Sequence, residues 1–134
     1  MGVKHMDFVL FDPTYHLSKA SRGEWFPHID LYEDDVSFFL ILELAGVEKQ
    51  DLKITIEDEL VVKIRGERKN VLRSKKNACH YKVEIRSGNF ARDIILPQKI
   101  DTRDIHVEQL NGIFKLTLNK KVPQKITVIE PKDQ

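Results

Sequence analysis

Along residues 52–65 the apolar side chains Leu52, Ile54 and Ile56, then Leu60, Val62 and Ile64, alternate with Lys53, Thr55, Glu57, Val61, Lys63 and Arg65. Period-two alternation places one set on a single face of an extended chain, so the stretch predicts strands with one buried face. Asp58 and Glu59 interrupt the two runs and are poor strand formers, which predicts an antiparallel hairpin closed by a tight turn. With neither Gly nor Asn at the centre, the turn type stays open. A two-stranded ribbon is marginal in water, so its apolar face requires a second sheet from elsewhere in the chain.

That second sheet can be found in the pattern. Residues 28–33 alternate through Ile29 and Leu31, Asp34-Asp35 makes a turn, and residues 37–44 form a nearly continuous apolar run, as a doubly covered strand does. Residues 45–50 make a loop into the central hairpin, and Gly66 is expected to break the strand that leaves it. Residues 67–79 are polar and basic, with Val71 and Leu72 as their apolar anchors. A long excursion of this kind is either functional or disordered. Alternation resumes through Tyr81, Val83 and Ile85, stops at Gly88, and returns over residues 90–96 until Pro97. Residues 105–110 and 113–118 flank Asn111-Gly112, a strong two-residue hairpin signal. About seven or eight short strands without a helical period predict an all-β, antiparallel β-sandwich of immunoglobulin-like type.

One position on these faces is out of character. Arg92 shares a face with Phe90, Ile94 and Leu96, and a cation there needs a partner, a subunit boundary, or a route along its own stem past the sheet edge.

The ends differ from the middle. Residues 1–24 have no sustained period yet carry Phe8, Val9, Leu10, Phe11, Tyr15 and Leu17, and residues 18–23 have linker composition before Trp25-Phe26-Pro27. Residues 120–134 are polar except for Ile126-Thr127-Val128, flanked by Pro123 and Pro131. In an extended segment Ile126 and Val128 project the same way. The expected organisation is an arm over 1–24, a sandwich over 25–119 and an extension over 120–134.

Charge and composition narrow the function. The 134 residues carry 22 Lys and Arg against 21 Asp and Glu, so net charge gives no reason to expect a nucleic acid or an anionic membrane as partner. The basic stretch of residues 63–82 lacks interleaved aromatics for stacking bases, and solvation of a loop explains its charges equally well. A single cysteine, Cys79, excludes an internal disulfide framework and fits a reducing, cytoplasmic setting. The apolar run at residues 8–11 is too short for a membrane span or a signal-peptide core.

Catalytic signatures are missing from the pattern. No Gly-rich phosphate loop and no histidine pair at metal-ligand spacing occurs. Cys79 and His80 are neighbours, but adjacent residues of a strand point to opposite faces, which disfavours an activated thiol. The expectation is no enzyme, no cofactor and no metal.

Several stretches in order resemble the small heat-shock proteins, the family built on the α-crystallin domain. Pro27-His28-Ile29-Asp30-Leu31-Tyr32-Glu33 looks like the family's first strand, and Glu43-Leu44-Ala45-Gly46-Val47 looks like its Glu-Leu-Pro-Gly-Val loop. Residues 60–68, ending in Gly66-Glu67-Arg68, are similar to its Leu-x-Ile-x-Gly-Glu-Arg run. Gly88-Asn89-Phe90-Ala91-Arg92 through Leu96-Pro97 is similar to Gly-x-Phe-x-Arg and Leu-Pro, Asn111-Gly112-Ile113-Phe114 to Asn-Gly-Val-Leu, and Ile126-Thr127-Val128 to the C-terminal Ile-x-Ile/Val motif. Ala45, Ser87 and Phe114 depart from the pattern at a proline, an aromatic and a leucine.

The resemblance implies an ATP-independent chaperone, or holdase, that binds partly unfolded clients and whose homodimers build larger homo-oligomers. It implies that the excursion between Gly66 and Tyr81 crosses to a partner subunit and adds a strand there, with Val71, Leu72 and Arg92 at the dimer contact. Ile126 and Val128 would insert into a neighbour's groove formed by Leu52, Ile54, Ile56, Ile105 and Val107. Phe8, Val9, Leu10, Phe11, Tyr15 and Leu17 are the candidate client contacts, since no regular pattern buries them. The alternative is a co-chaperone domain of the p23 and CS type, which binds a specific folded partner; neither the tail motif nor the long basic loop is expected of it.

Overall fold

The computed structural model describes residues 24–69, 72 and 77–122. Seven strands occur among them: β1 (Ile29–Glu33), β2 (Ser37–Glu43), β3 (Leu52–Glu57), β4 (Val61–Arg68), β5 (Gly88–Ile95), β6 (Ile100–Leu110) and β7 (Ile113–Lys120). They form a four-stranded sheet in the order β1-β2-β7-β6 and a three-stranded sheet in the order β3-β4-β5. All ladders between these strands are antiparallel.

The inward faces are the apolar sets of the sequence pattern. Phe38, Leu40 and Leu42 of β2 and Phe114, Leu116 and Leu118 of β7 meet Val62 and Ile64 of β4 and Phe90 and Ile94 of β5, each no more than 7% exposed. Burial of this continuous apolar layer is what two sheets gain by packing face to face. Phe114, where the family pattern has leucine, is fully buried.

Hydrogen bonds tie the sheets at both ends of β6. Gln109 Nε2 donates to Val47 O, in the loop that leads to β3, at 3.0 Å, and Ile100 N donates to Glu59 O, in the turn between β3 and β4, at 2.9 Å. The bonds from Leu44 N to Gly112 O at 2.8 Å and from Leu96 N to Leu60 O at 2.9 Å extend the β2–β7 and β4–β5 ladders by one residue each.

The turns between β3 and β4 and between β6 and β7 each have two left-handed residues. Asp58 and Glu59 have φ of 56° and 57°, and Asn111 and Gly112 have φ of 51° and 81°. Positive φ at both central positions is the type I′ arrangement, whose twist suits the flanking strands. The Asn-Gly pair is legible in the sequence; the Asp-Glu pair adopts the same geometry at a conformational cost.

The structure departs from the sequence pattern in three elements. Gly66 does not end β4, which runs on to Arg68, with Gly66 paired between Leu52 and Phe90. A Cβ at Gly66 would collide with Asp51 O and the Phe90 ring, so the glycine is required by close packing and not by a turn. β6 begins at Ile100, before the expected start at 105, with a register irregularity between Ile100 and Ile105 that re-aims the strand. Tyr81, Val83 and Ile85 lie in no strand, because period two specifies a face but not a neighbouring edge to pair with.

Candidate functional site

The candidate groove lies between edge strands. β3 is the edge of one sheet and β6 the edge of the other, and the bonds from Gln109 to Val47 and from Ile100 to Glu59 bring both ends of β6 to the chain that flanks β3. Leu52, Ile54 and Ile56 alternate with the exposed Lys53, Thr55 and Glu57 and are half-buried, as is Ile105; all four pack on the core. Val107 remains 38% exposed. Apolar side chains are half-covered here because an edge strand has a neighbour on one side only. The tail residues Ile126 and Val128 lie outside the described residues, as do the arm residues Phe8, Val9, Leu10, Phe11, Tyr15 and Leu17, and Val71.

The excursion between β4 and β5 presents its apolar side chains to solvent. Leu72 is 96% exposed, Tyr81 92%, Ile85 74% and Val83 58%. Cys79 and His80 are exposed beside them.

Arg92 finds partners within its own chain. Its Nη1 donates to Pro27 O at 3.0 Å, and its guanidinium lies 5.4 Å from the Phe26 ring centroid. The partner that an inward cation demands is thus the segment leading into β1. Outside it, on the opposite face of the sheet, Arg65 Nη1 meets Asp93 Oδ1 at 2.6 Å.

Sequence reasoning missed a second arginine. Arg68, the last residue of β4, stacks on Trp25 with its guanidinium 4.3 Å from the ring centroid. It donates from Nε and Nη2 to Arg86 O at 2.8 and 2.6 Å, and from Nη1 to Ala45 O at 3.3 Å. Trp25 is itself fixed: Nε1 donates to Gly88 O at 3.1 Å, its backbone bonds Asn89 O and Ala91 N, and its ring lies 5.1 Å from Phe90. Burial lowers the Arg68 pKa, with Glu43 opposing the shift. The signal was present, since Trp25 is the sole tryptophan, but nothing in the local pattern connects positions 25, 45, 68 and 86.

Ionisable groups elsewhere make surface structure. Among the described residues no group of three or more His, Cys, Asp and Glu is placed to hold a metal ion. His106 Nε2 lies 3.1 Å from Asp104 Oδ1, both exposed. Asp101 is held down at about 2, chiefly by the hydrogen bond from the Arg103 side chain. Asp34 is lowered by accepting from Ser37 N and Val36 N. No helix among the described residues is long and apolar enough to cross a membrane.

The profile of the Hsp20/alpha crystallin family matches residues 30–132. The chain belongs to the Hsp20/alpha crystallin family. It is 30% identical over 129 residues to a 22.7 kDa class IV heat shock protein of Pisum sativum, covering 92% of this chain and 61% of that protein. It is 30% identical over 137 residues to the small heat shock protein C2 of Rickettsia felis, covering 98% of this chain and 88% of that one. Heat shock protein 16.0 of Schizosaccharomyces pombe superposes with a TM-score of 0.63 at 30% identity, over 80% of this chain and all of that one. Membership in the Hsp20/alpha crystallin family supports a chaperone role.

Proposed function

We propose that this protein is an ATP-independent holdase whose homodimers assemble into larger oligomers, acting in the cytoplasm. The observation that carries the reading is the excursion after β4: within a chain of this family, Leu72, Tyr81 and Val83 are at least 58% exposed. Large apolar side chains are left in water at a cost unless another surface covers them. The alternation of Tyr81, Val83 and Ile85 suits a strand added to the edge of a second subunit. Val71, Leu72 and Arg92 are assigned to that contact, Arg92 by way of the Phe26-Pro27 segment it holds.

Chaperone action is then mass action. Client binding through apolar surface lowers the free concentration of unfolding protein and so slows aggregation. Phe8, Val9, Leu10, Phe11, Tyr15 and Leu17 of the arm over residues 1–24 supply the client contacts, the sandwich over 25–119 the scaffold, and Ile126 and Val128 of the 120–134 extension the links between dimers. The groove of Leu52, Ile54, Ile56, Ile105 and Val107 is the receiving site. No catalytic residue, cofactor, metal, nucleic acid or membrane enters the scheme.

The test is light scattering from a heat-denatured client with this protein near stoichiometric amounts and no ATP. Suppressed scattering is expected, and a chain lacking residues 1–24 is expected to keep its β-type circular dichroism while protecting the client less. Unaltered scattering from the full chain over a wide temperature range would overturn the holdase reading and favour a co-chaperone that binds a specific folded partner.

A further inference from the structure

Three segments with different assignments meet at one guanidinium. Trp25 is the root of the arm, Arg86 ends the excursion that leaves β4, and Ala45 belongs to the loop between β2 and β3; Arg68 contacts all three. The ladder between β4 and β5 closes at the pair Arg68 and Gly88. The Arg68 side chain extends this closure two residues past the ladder, to the carbonyl of Arg86. From that point residues leading back to Tyr81 are exposed, so the direction in which the excursion departs is set where Arg68 holds it.

The hold depends on Trp25, the residue that follows the arm. A guanidinium that reaches two carbonyls in different loops must keep its plane fixed, and Trp25 provides the flat face that fixes it and keeps water from one side. Trp25 in turn stays in place through its bonds to Gly88, Asn89 and Ala91. Moving the arm root away would leave Arg68 solvated on that face, with more rotamers open to it and the Arg86 carbonyl less often bonded.

We propose that Arg68 is a positioning residue that couples the N-terminal arm to subunit pairing: with Trp25 stacked on it, the guanidinium holds the end of the excursion in the direction that reaches the partner. The inference rests on the reading that this excursion pairs with a second subunit. Coupling is reciprocal. Displacement of the arm loosens the pairing, and loss of the partner loosens the packing of Trp25, so engagement of the arm and release of subunits are linked through one side chain.

Trp25 is the sole tryptophan, and intrinsic emission therefore reports the stack directly. Full-length chains are compared by sedimentation velocity and fluorescence over a dilution series: wild type, Arg68→Lys, Trp25→Phe, and Val83→Asp in the excursion. In wild type the Trp25 emission shifts to the red and acrylamide quenching rises in step with dissociation. Arg68→Lys keeps the charge but loses the planar fork; its dimer dissociation constant rises about tenfold, with Trp25 emission already shifted at concentrations where the chains are paired. Trp25→Phe changes dissociation in the same direction and by less. A purely structural Arg68 would lower the unfolding midpoint and leave dissociation unchanged.

The outcomes separate the two readings. If Val83→Asp dissociates the dimer while Arg68→Lys and Trp25→Phe stay within about twofold of wild type, the coupling is overturned and the pairing stands. If Val83→Asp leaves the dimer intact, the pairing itself falls and the coupling falls with it. Should Arg68→Lys lose its β-type circular dichroism, Trp25→Phe decides: unchanged dissociation overturns the proposal, and weakened pairing supports it.

Discussion

Gly66 shows how much one missing side chain contributes to the sandwich. It sits in the interior of β4, facing the core, where Phe90 Cε1 would be 2.9 Å from an added Cβ and Asp51 O would also collide with it. The Asp51 contact is backbone and cannot rotate away. Gly66→Ala is expected to destabilise the fold by about 1–3 kcal/mol through overpacking, read as a lower urea midpoint at unchanged slope. An unchanged midpoint would mean that β3 and the Phe90 ring shift freely. Asp34 carries a pH-dependent contribution at the same scale. Its Oδ1 accepts from Val36 N at 2.8 Å and Ser37 N at 2.7 Å, and its carboxyl lies below the ordinary value of 3.8. A group whose folded pKa is depressed stabilises the fold above the unfolded pKa and loses that contribution as pH falls through the folded one. The stability difference between wild type and Asp34→Ala is therefore expected to be full at neutral pH and to shrink below about pH 4. A difference that stays constant from pH 7 to pH 2 would show that the ionised form is not what the turn prefers.

At the scale of elements, the turns separate what a residue prefers from what a hairpin requires. Asn111-Gly112 occupies left-handed conformations that its residues favour, and Asp58-Glu59 occupies the same conformations without a glycine. The register of β3 on β4 fixes that geometry, because Ile54 must oppose Ile64 and Ile56 must oppose Val62 on the core side. Replacing the pair by Asp58→Asn with Glu59→Gly is expected to raise stability by about 0.5–1 kcal/mol, since the strain is relieved. The lost pair between Glu59 and Lys121, 2.9 Å apart at the surface, offsets only part of this. A lower thermal midpoint for the double variant would show that the Glu59 pair outweighs the turn strain. The faces of β3, β4, β5 and β7 were legible from alternation, since period two is a property of the local chain; β2 was legible as a strand, but its nearly continuous apolar run did not mark which face is inward. The length of β6 was not legible: Asp101, Thr102, Arg103 and Asp104 are polar and mostly exposed, and nothing in the pattern distinguishes such an edge segment from a loop.

The whole molecule is a sandwich whose edge strands and exposed excursion are, in the function proposed above, completed by other subunits. Ile126 and Val128 seated in the groove of Leu52, Ile54, Ile56, Ile105 and Val107 would contribute about 3–6 kcal/mol before association costs. That scale holds subunits together and still permits exchange. Ile126→Gly combined with Val128→Gly is expected to shift the mass distribution to dimers in light scattering after chromatography; an unchanged mass would rule out the tail as the link. The candidate site was legible in part. Leu52, Ile54 and Ile56 could be placed on one face from alternation, and Ile105 beside them only by the family resemblance; the structure packs all four on the core. Arg92 was legible as an anomaly, while its partners Phe26 and Pro27 were not, because they lie more than 60 residues away, 65 in the case of Pro27. The Arg68 junction was not legible either, because its partners Arg86 and Ala45, 18 and 23 residues away, sit in other loops that only the fold brings together.

By itself the sequence determined the strand periodicity, the buried faces, the Asn111-Gly112 turn and the kinship with small heat-shock proteins. These follow from φ/ψ preferences and side-chain alternation that act over a few residues, and from motifs preserved in order. Only the tertiary structure decided that Gly66 belongs inside a strand, that Tyr81, Val83 and Ile85 join no strand in their own chain, and that Trp25 and Arg68 meet. Each of these depends on which distant edges approach each other. Close packing and the pairing of backbone edges settle that choice, and neither can be read from a window of neighbouring residues.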